Sequence, residues 1–253
     1  MTPPTNKHVV FDVVGTCVSY DAFYTAVESR LGPKFRAHNL NIGSRIFGYA
    51  WMEAGEREYT YLGLSGKYVK FFDIFRSIFY RTLWQAGIQN PREFATDDDR
   101  EYLLASYRTL EPRPGIQECF ARLRDAGFTV WALTAGDTPR VAGYLAKGGV
   151  DMPEGNFVSC DTIGVGKPAP EAYRYILERF GGVEGEGEGE GGQTWFAAAH
   201  MWDAAAAKGC GFRGAWVSDW EKETCSDIFG EMDIVAHDLP GLADGIIAAS
   251  GES

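Results

Sequence analysis

The stretch HVVFDVVGT, residues 8–16, is a nearly continuous apolar run that contains one carboxylate and closes at a glycine followed by a threonine. A run of this kind is typical of a strand that is buried on both faces of a parallel sheet, and we predict a strand over residues 8–14. Asp12 is unusual in such a strand, because a buried carboxylate costs free energy unless a cation or hydrogen-bond donors compensate it. The stretch therefore predicts the first strand of an α/β sheet, and we expect Asp12 to have a cation or hydrogen-bond donors as partners.

Strand and helix patterns alternate over the second half of the chain. Short apolar runs predict strands at residues 129–134, 157–159, 194–199 and 214–217. Amphipathic segments predict helices at residues 117–124, 139–147, 171–180, 203–208 and 239–249. This alternation is typical of a parallel sheet with right-handed crossovers and helices on both faces.

Residues 19–110 have a different pattern, without a comparable strand. Apolar residues there recur at three- and four-residue steps, which predicts helices. Turn signals divide the stretch into about four helices, and they lie at Gly32-Pro33, residues 64–66 and Asn90-Pro91. We therefore predict a helical cap domain at residues 18–110, inserted into an α/β core domain made of residues 1–17 and 111–253.

Composition limits the class of protein and of partner. The 253 residues carry 24 Lys plus Arg against 35 Asp plus Glu, a formal charge of −11, which repels nucleic acid and anionic membranes. No apolar run approaches the ~20 residues of a membrane span, and residues 1–7 lack the pattern of a secretory leader. The cysteines form no CxxC pair, which is typical of reduced thiols. We expect a cytoplasmic protein with a small-molecule substrate, no nucleic-acid or membrane partner, and a surface loop at the Gly/Glu tract of residues 181–192.

Polar side chains follow the predicted strands at their carboxyl ends, where ligands bind in open parallel sheets. They are Asp12, Thr134, Lys167, His200 and Asp203. Lys167 is the cation that can pair with Asp12. Two simpler interpretations stay open, namely Asp12 as a cap of the turn at Gly15-Thr16, and His200 as a core histidine bonded to backbone.

Four short motifs follow one another in the order and spacing of a known superfamily. They are FDVVGT at residues 11–16, LTAG at 133–136, GKPAPEAY at 166–173 and AAHMWD at 198–203. Together they resemble the motifs of the haloacid dehalogenase (HAD) superfamily, most closely those of its 2-haloacid dehalogenase branch. EYTYL, residues 58–62, resembles the helical cap of that branch. The resemblance spans nearly the whole chain and implies a HAD-like, Rossmannoid α/β fold with an inserted helical cap.

The resemblance implies a role for each member of the polar set. Asp12 takes the place of the nucleophile, which forms a covalent ester with substrate, and Lys167 that of the cation that keeps it ionised. Thr134 would donate a hydrogen bond to substrate or nucleophile, and Asp203 with His200 would position the water that opens the ester. The residues that the resemblance places around the substrate are Val13, Val14, Ala135, Glu53 and Tyr59.

Val14 separates the two large subclasses of the superfamily. Phosphate-processing members carry a second aspartate there as general acid, and valine cannot donate a proton, whereas a halide leaves without protonation. The paired acids typical of phosphatases at the fourth motif are replaced by Ala198-Ala199, which weakens a Mg²⁺ site built on Asp12 and Asp203. We therefore predict a hydrolase that uses no cofactor, with Mg²⁺ disfavoured.

Glu53 departs from the branch, which carries at that position an arginine that grips a carboxylate or halide. A carboxylate there would repel both. Two enzyme hypotheses stay open: hydrolytic dehalogenation of a small 2-haloacid, and a tailoring hydrolase, lyase or cyclase of secondary metabolism that acts on a larger, non-halogenated substrate. A Mg²⁺-dependent phosphatase and a non-catalytic binding protein are weaker alternatives. A homodimer formed through the cap is an expectation from the resemblance alone.

Overall fold

The computed structural model describes residues 7–38, 40, 42–180 and 194–251. The chain divides into two units, one made of Met1–Val18 and Pro112–Ser253, which we call the α/β unit, and the other of Ser19–Glu111, the helical unit. The tract predicted as a surface loop at residues 181–192 lies outside the described residues.

A parallel sheet is the centre of the α/β unit. The strands in the described residues are β1 (His8–Phe11), β2 (Val18–Ser19), β3 (Glu111–Pro112), β4 (Thr129–Thr134), β5 (Phe157–Ser159), β6 (Thr194–Ala198), β7 (Arg213–Val217) and β8 (Ile234–Ala236). Six of them form the sheet, in the order β5-β4-β1-β6-β7-β8, and every neighbouring pair is parallel. The short strands β2 and β3 pair with each other where the chain passes between the units.

The register of the central strands aligns their carboxyl ends. Phe11, the last residue of β1, pairs with Ala132 of β4 on one side and with Ala197 of β6 on the other. Asp12 follows β1 directly, and Thr134 is the last residue of β4. The polar residues that leave these strands therefore emerge at one edge of the sheet.

Aromatic side chains hold the helical unit together. Its helices are α1 (Asp21–Ala37), α2 (Ser44–Leu64), α3 (Phe71–Gln85), α4 (Pro91–Phe94) and α5 (Asp97–Tyr107). Trp51 of α2 stacks on Phe75 of α3 with 3.9 Å between ring centroids, and its Nε1 donates to the Phe75 carbonyl oxygen at 2.9 Å. Phe23 of α1 contacts both rings. These ring contacts join the three longest helices of the unit.

The predicted helix boundary at Gly32-Pro33 is wrong, because α1 continues through both residues to Ala37. Proline disfavours helical backbone in the residue before it, partly through a clash with that residue's Cβ. Gly32 has no Cβ, so this part of the clash does not arise. The continued helix buries Leu31 and Phe35, and this burial offsets the hydrogen bond that proline cannot donate.

Helices pack on both faces of the sheet. In the α/β unit they are α6 (Ile116–Asp125), α7 (Thr138–Lys147), α8 (Cys160–Ile163), α9 (Pro170–Glu178), α10 (Met201–Lys208), α11 (Ser226–Phe229) and α12 (Leu239–Gly251). Val9 and Phe11 of β1 share one hydrophobic core with residues of α6, α7 and α12. On the opposite face, Tyr173 of α9 packs edge-on against Phe196 of β6. Because side chains alternate along a strand, a sheet covered in this way needs apolar residues at nearly every strand position.

In the six-stranded sheet, two strands differ from the prediction by more than one residue. The two-residue strands β2 and β3 were not predicted. β1 ends at Phe11, before the predicted end at Val14, because the chain turns back on itself and the backbone N–H groups of Cys17 and Val18 both donate to the Val13 carbonyl oxygen. The prediction lacks β8, a three-residue edge strand whose Val235 is exposed. Across the part of the chain that the structure describes, none of the helices combines the length and the apolar character of a bilayer crossing.

Candidate active site

Asp12 lies at the carboxyl end of β1 with both carboxylate oxygens engaged. Its Oδ1 accepts a hydrogen bond from the Lys167 Nζ at 2.7 Å, and its Oδ2 accepts one from the Thr16 Oγ1 at 2.7 Å. The backbone N–H of Asp12 donates to the Ala197 carbonyl oxygen at 3.0 Å, and the Thr16 hydroxyl accepts from the N–H of Ala199 at 2.8 Å. The Asp12 carboxylate thus binds both Thr16 of the turn and the Lys167 ammonium.

Lys167 joins two buried carboxylates. Its Nζ lies 2.7 Å from Asp12 Oδ1 and 2.5 Å from Asp203 Oδ2. Asp203 is fully buried on the first turn of α10, and its second oxygen, Oδ1, accepts a hydrogen bond from the Tyr173 hydroxyl at 2.5 Å. A buried charge cluster of this kind is tolerable only because each carboxylate oxygen has a donor.

His200 is the residue just before α10, and its side chain lies beside the nucleophile candidate. The Nδ1 atom is 3.7 Å from Asp12 Oδ2, and 14% of the side chain is exposed. The Trp202 ring lies 5.8 Å from the His200 ring, centroid to centroid. His200 is therefore the member of the polar set that combines proximity to Asp12 with contact with solvent.

Burial and charge act in opposite directions on these groups. Burial alone would raise the pKa of Asp12, but the Lys167 ammonium and His200 more than offset this and hold it well below its ordinary value. Burial would lower the pKa of Lys167, yet Asp12 and Asp203 raise it above its usual range. For Asp203, burial is the largest influence and raises the pKa although Lys167 and Tyr173 donate to it. Of the two carboxyl groups, Asp12 is thus the one whose surroundings lower its pKa and favour its ionised form.

The other predicted site residues of the α/β unit lie near this edge of the sheet. Thr134 is buried at the end of β4, and its Oγ1 accepts a hydrogen bond from the Gly136 N–H at 3.0 Å. Val13 is fully buried, whereas Val14 and Ala135 are partly exposed. An apolar, partly exposed Val14 supplies no proton next to Asp12.

Glu53 and Tyr59 both lie on α2 of the helical unit. Glu53 is exposed. Tyr59 is buried, its hydroxyl is 3.2 Å from that of Tyr68, and its ring contacts Phe71. The surroundings of Tyr59 within its unit are those of a core residue.

Two further residues contact the cluster and a third lies beside it, and none of the three was assigned a role from sequence. Thr16 and Tyr173 both stand within the quoted motifs, but a threonine after a glycine is typical of a turn, and a tyrosine near a helix start is typical of a core. Glu221 lies outside the motifs, and its Oε2 accepts the N–H of Met201, the first residue of α10, at 2.7 Å. No sequence pattern predicts that a carboxylate will bind a backbone N–H 20 residues away.

The donor set does not fit a divalent cation. Among the described residues, no three or more His, Cys, Asp and Glu side chains are grouped as a metal ion would need. The Lys167 ammonium lies between Asp12 and Asp203 and donates to one oxygen of each. One ammonium group thus serves as the counterion of both carboxylates.

The chain is similar in sequence to proteins of a known family. A family model described as haloacid dehalogenase-like hydrolase matches residues 6–211. A haloacetate dehalogenase from Moraxella sp. (strain B) is 24% identical over 210 residues, which are 83% of this chain and 84% of the relative. An (S)-2-haloacid dehalogenase from Pseudomonas sp. (strain CBS-3) is 23% identical over 202 residues, 79% of this chain and 83% of the relative.

Solved structures share the fold. The L-2-haloacid dehalogenase from Xanthobacter autotrophicus superposes with a TM-score of 0.71 at 21% identity, covering 98% of this chain and 99% of that one. Another L-2-haloacid dehalogenase gives a TM-score of 0.76 at 19% identity, covering 96% and 99%. At these identities the likeness establishes the architecture, a parallel sheet with helices.

Proposed function

Since the chain belongs to the haloacid dehalogenase-like hydrolases, we propose that it hydrolyses a small 2-haloacid through a covalent ester on Asp12. The observation that carries this proposal is the Asp12 carboxylate itself, which lies at a strand end, ionised, between the Lys167 ammonium and the Thr16 hydroxyl. The two curated relatives described above act on haloacetate and on (S)-2-haloacids by their names, which supports the choice of substrate class.

The first step is displacement at carbon. A carboxylate oxygen of Asp12 attacks the carbon that bears the halogen, the new C–O bond forms the ester, and the halide leaves with the bonding electrons. Lys167 and Thr16 fix the plane of the carboxylate, so that little orientational freedom is lost in reaching the reactive geometry. A halide needs no proton to leave, which is consistent with Val14 beside the nucleophile.

The second step is hydrolysis of the ester. Water attacks the carboxyl carbon of Asp12, and negative charge develops on the Asp12 oxygen that is not bonded to the substrate. Lys167 donates to Oδ1 and Thr16 to Oδ2, so whichever of the two oxygens remains the carbonyl oxygen of the ester has a donor that stabilises this charge. Both oxygens of Asp203 are already bound, by Lys167 and Tyr173, and its side chain is fully buried. These contacts favour His200 as the group that accepts the proton of water, with Asp203 holding Lys167 in place.

We propose that the reaction proceeds without a metal ion or other cofactor. The support is the ammonium of Lys167, which occupies the place between Asp12 and Asp203 and supplies the positive charge there.

A second candidate function rests on Glu53. An exposed carboxylate on α2, where the resemblance implies an arginine, does not favour binding of a small anion. A tailoring hydrolase, lyase or cyclase that uses the same Asp12 chemistry on a larger, less anionic molecule is the alternative that this residue favours.

Halide release tests the proposal. Chloroacetate, bromoacetate, fluoroacetate and both enantiomers of 2-chloropropionate are incubated with the enzyme in the presence of EDTA, and free halide is measured. We expect release from at least one of them, a loss of about 1,000-fold or more in Asp12→Asn, and an unchanged rate in the matched control Asp125→Asn, an exposed residue at the end of α6. Absence of halide with all five compounds would exclude dehalogenation of small 2-haloacids.

A further inference from the structure

Glu221 lies against the start of the helix that follows His200. Its Oε2 accepts the N–H of Met201 at 2.7 Å, and Met201 is both the first residue of α10 and the chain neighbour of His200. Glu221 is half-buried in the segment after β7, and Lys222 next to it has a φ of 68°, a left-handed backbone conformation that a side chain disfavours. The carboxylate is therefore held at a defined place beside the His200 backbone.

Three carboxylates act on His200, from three parts of the fold. Asp12 approaches from the end of β1, Asp203 lies on α10, and Glu221 follows β7; the Lys167 ammonium binds the other oxygen of Asp12. Burial would lower the pKa of His200, but the hydrogen bond and charge of Asp12, with the charges of Asp203 and Glu221, raise it above its ordinary value. Asp12 and Asp203 both accept a hydrogen bond from Lys167, whereas Glu221 accepts one from the backbone of Met201.

We propose that Glu221 is a positioning residue, which fixes the His200 backbone at the start of α10 and whose negative charge holds the His200 imidazolium beside Asp12 in the resting enzyme. This inference rests on the proposed function, because Glu221 would influence the pH at which His200 loses its proton and can act as base in the hydrolysis of the ester.

The charges change in the course of the reaction. Alkylation of Asp12 removes its negative charge, the largest source of stabilisation for the imidazolium, so His200 releases its proton to solvent and becomes a base. It then takes one proton from the attacking water and returns it to the alkoxide of the product when the C–O bond of the tetrahedral intermediate breaks. The carboxyl group of Asp12 then gives the second proton of water to His200, so that Asp12 is again a carboxylate and His200 again an imidazolium. Glu221 takes no part in these proton transfers, and its charge favours the protonated form of His200 in the ester as well.

The test is the titration of His200 by NMR, which needs no substrate. The chain has four histidines, and the resonances missing in His200→Gln identify this one. We expect the pKa of His200 to fall by on the order of half a unit in Glu221→Gln, which retains an oxygen acceptor for the Met201 N–H but removes the charge. Glu223→Gln, the same change at an exposed neighbour, should leave it unchanged. Asp12→Asn, neutral like the ester, should lower it further.

Equal His200 pKa values in wild type and Glu221→Gln would overturn the proposal, whatever the substrate of the enzyme. Where a haloacid is turned over, the pH profile of the ester-hydrolysis step supplies a second readout. We expect its acidic limb to move to lower pH in Glu221→Gln, because a smaller fraction of His200 stays protonated. A limb that does not move contradicts this role of Glu221, and failure of every haloacid to react contradicts the dehalogenase proposal while the NMR result on Glu221 stands.

Discussion

The Lys167 ammonium is shared by two buried carboxylates, and the charge state of the cluster depends on it. Removal of the amine would leave Asp12 and Asp203 in a buried place without their common counterion. Burial would then raise the pKa of both carboxyl groups. The energetic effect of the change is therefore a function of pH.

We expect Lys167→Met to lower the free energy of unfolding by about 3–5 kcal/mol near neutral pH. In the wild type, the lowered pKa of Asp12 gives stability that is present above the ordinary aspartate value and is lost as the pH falls. In the variant, raised carboxyl pKa values have the opposite effect, and stability is lost as the pH rises. The difference between the two proteins should consequently shrink between neutral and about pH 4.

Urea unfolding at the two pH values measures this difference. Lys67→Met, at an exposed position after α2, is the matched control and should be within about 0.5 kcal/mol of wild type at both. A Lys167→Met variant with a constant deficit across this range would contradict the assignment of Lys167 as the counterion of both carboxylates.

At the residue scale, sequence predicted the charged groups better than their neutral partners. Asp12 attracts attention because charge is rare in buried strands. Lys167 does so because it follows a strand and is a cation that can pair with Asp12. Thr16 and Tyr173, which donate to Asp12 and Asp203, have residue types that are common in turns and helix cores. Their hydroxyl groups become part of the site only through the distances between segments, which a single sequence does not contain.

Asp99 shows how one side chain joins elements of the helical unit. It is buried at the start of α5, where its carboxylate accepts from the Thr96 N–H at 2.7 Å and the Thr96 hydroxyl at 3.0 Å in a capping box. The same carboxylate forms ion pairs with Arg30 Nε at 2.6 Å and Lys34 Nζ at 2.5 Å, both on α1. Asp99 thus caps the start of α5 and connects α5 to α1.

We expect Asp99→Ala to reduce the free energy of unfolding by about 2–3 kcal/mol, from the lost cap and the lost charge-assisted hydrogen bonds. The two cations are partly exposed and can be hydrated in the variant, which keeps the loss below that of a fully buried pair. Asp98→Ala, exposed on the same first turn, should lose less than about 1 kcal/mol. Equal losses in the two variants, measured by urea unfolding, would show that the contacts to α1 contribute nothing.

At the element scale, the outcome of prediction followed the strength of the pattern. Residues 129–134 and 157–159 were predicted as strands and have these bounds in the structure, because both are continuous apolar runs between turn residues. Gly32-Pro33 was misjudged because a local breaker signal competes with the burial of an entire helix face. β8 was not predicted although it is as long as the strand at residues 157–159, and the exposure of its Val235 is visible only in the structure.

At the scale of the whole molecule, order and spacing of four short motifs predicted the HAD-like family, which the family model confirms over residues 6–211. The parallel six-stranded sheet agrees with that prediction. The substrate could not be predicted in the same way, because it depends on a few side chains, such as Glu53, that can change while the fold stays the same. The homodimer expected from the resemblance stays a prediction.

The covalent ester on Asp12 is tested most directly by one turnover in ¹⁸O-labelled water, with enzyme in excess over a haloacid that releases halide, followed by mass spectrometry of the Asp12 peptide and of the product. Because water attacks the carboxyl carbon of Asp12, we expect ¹⁸O in the aspartate and unlabelled oxygen in the product hydroxyl. Label in the product and none in Asp12 would mean that water attacks the substrate directly, and the account of Asp12 as nucleophile would be wrong.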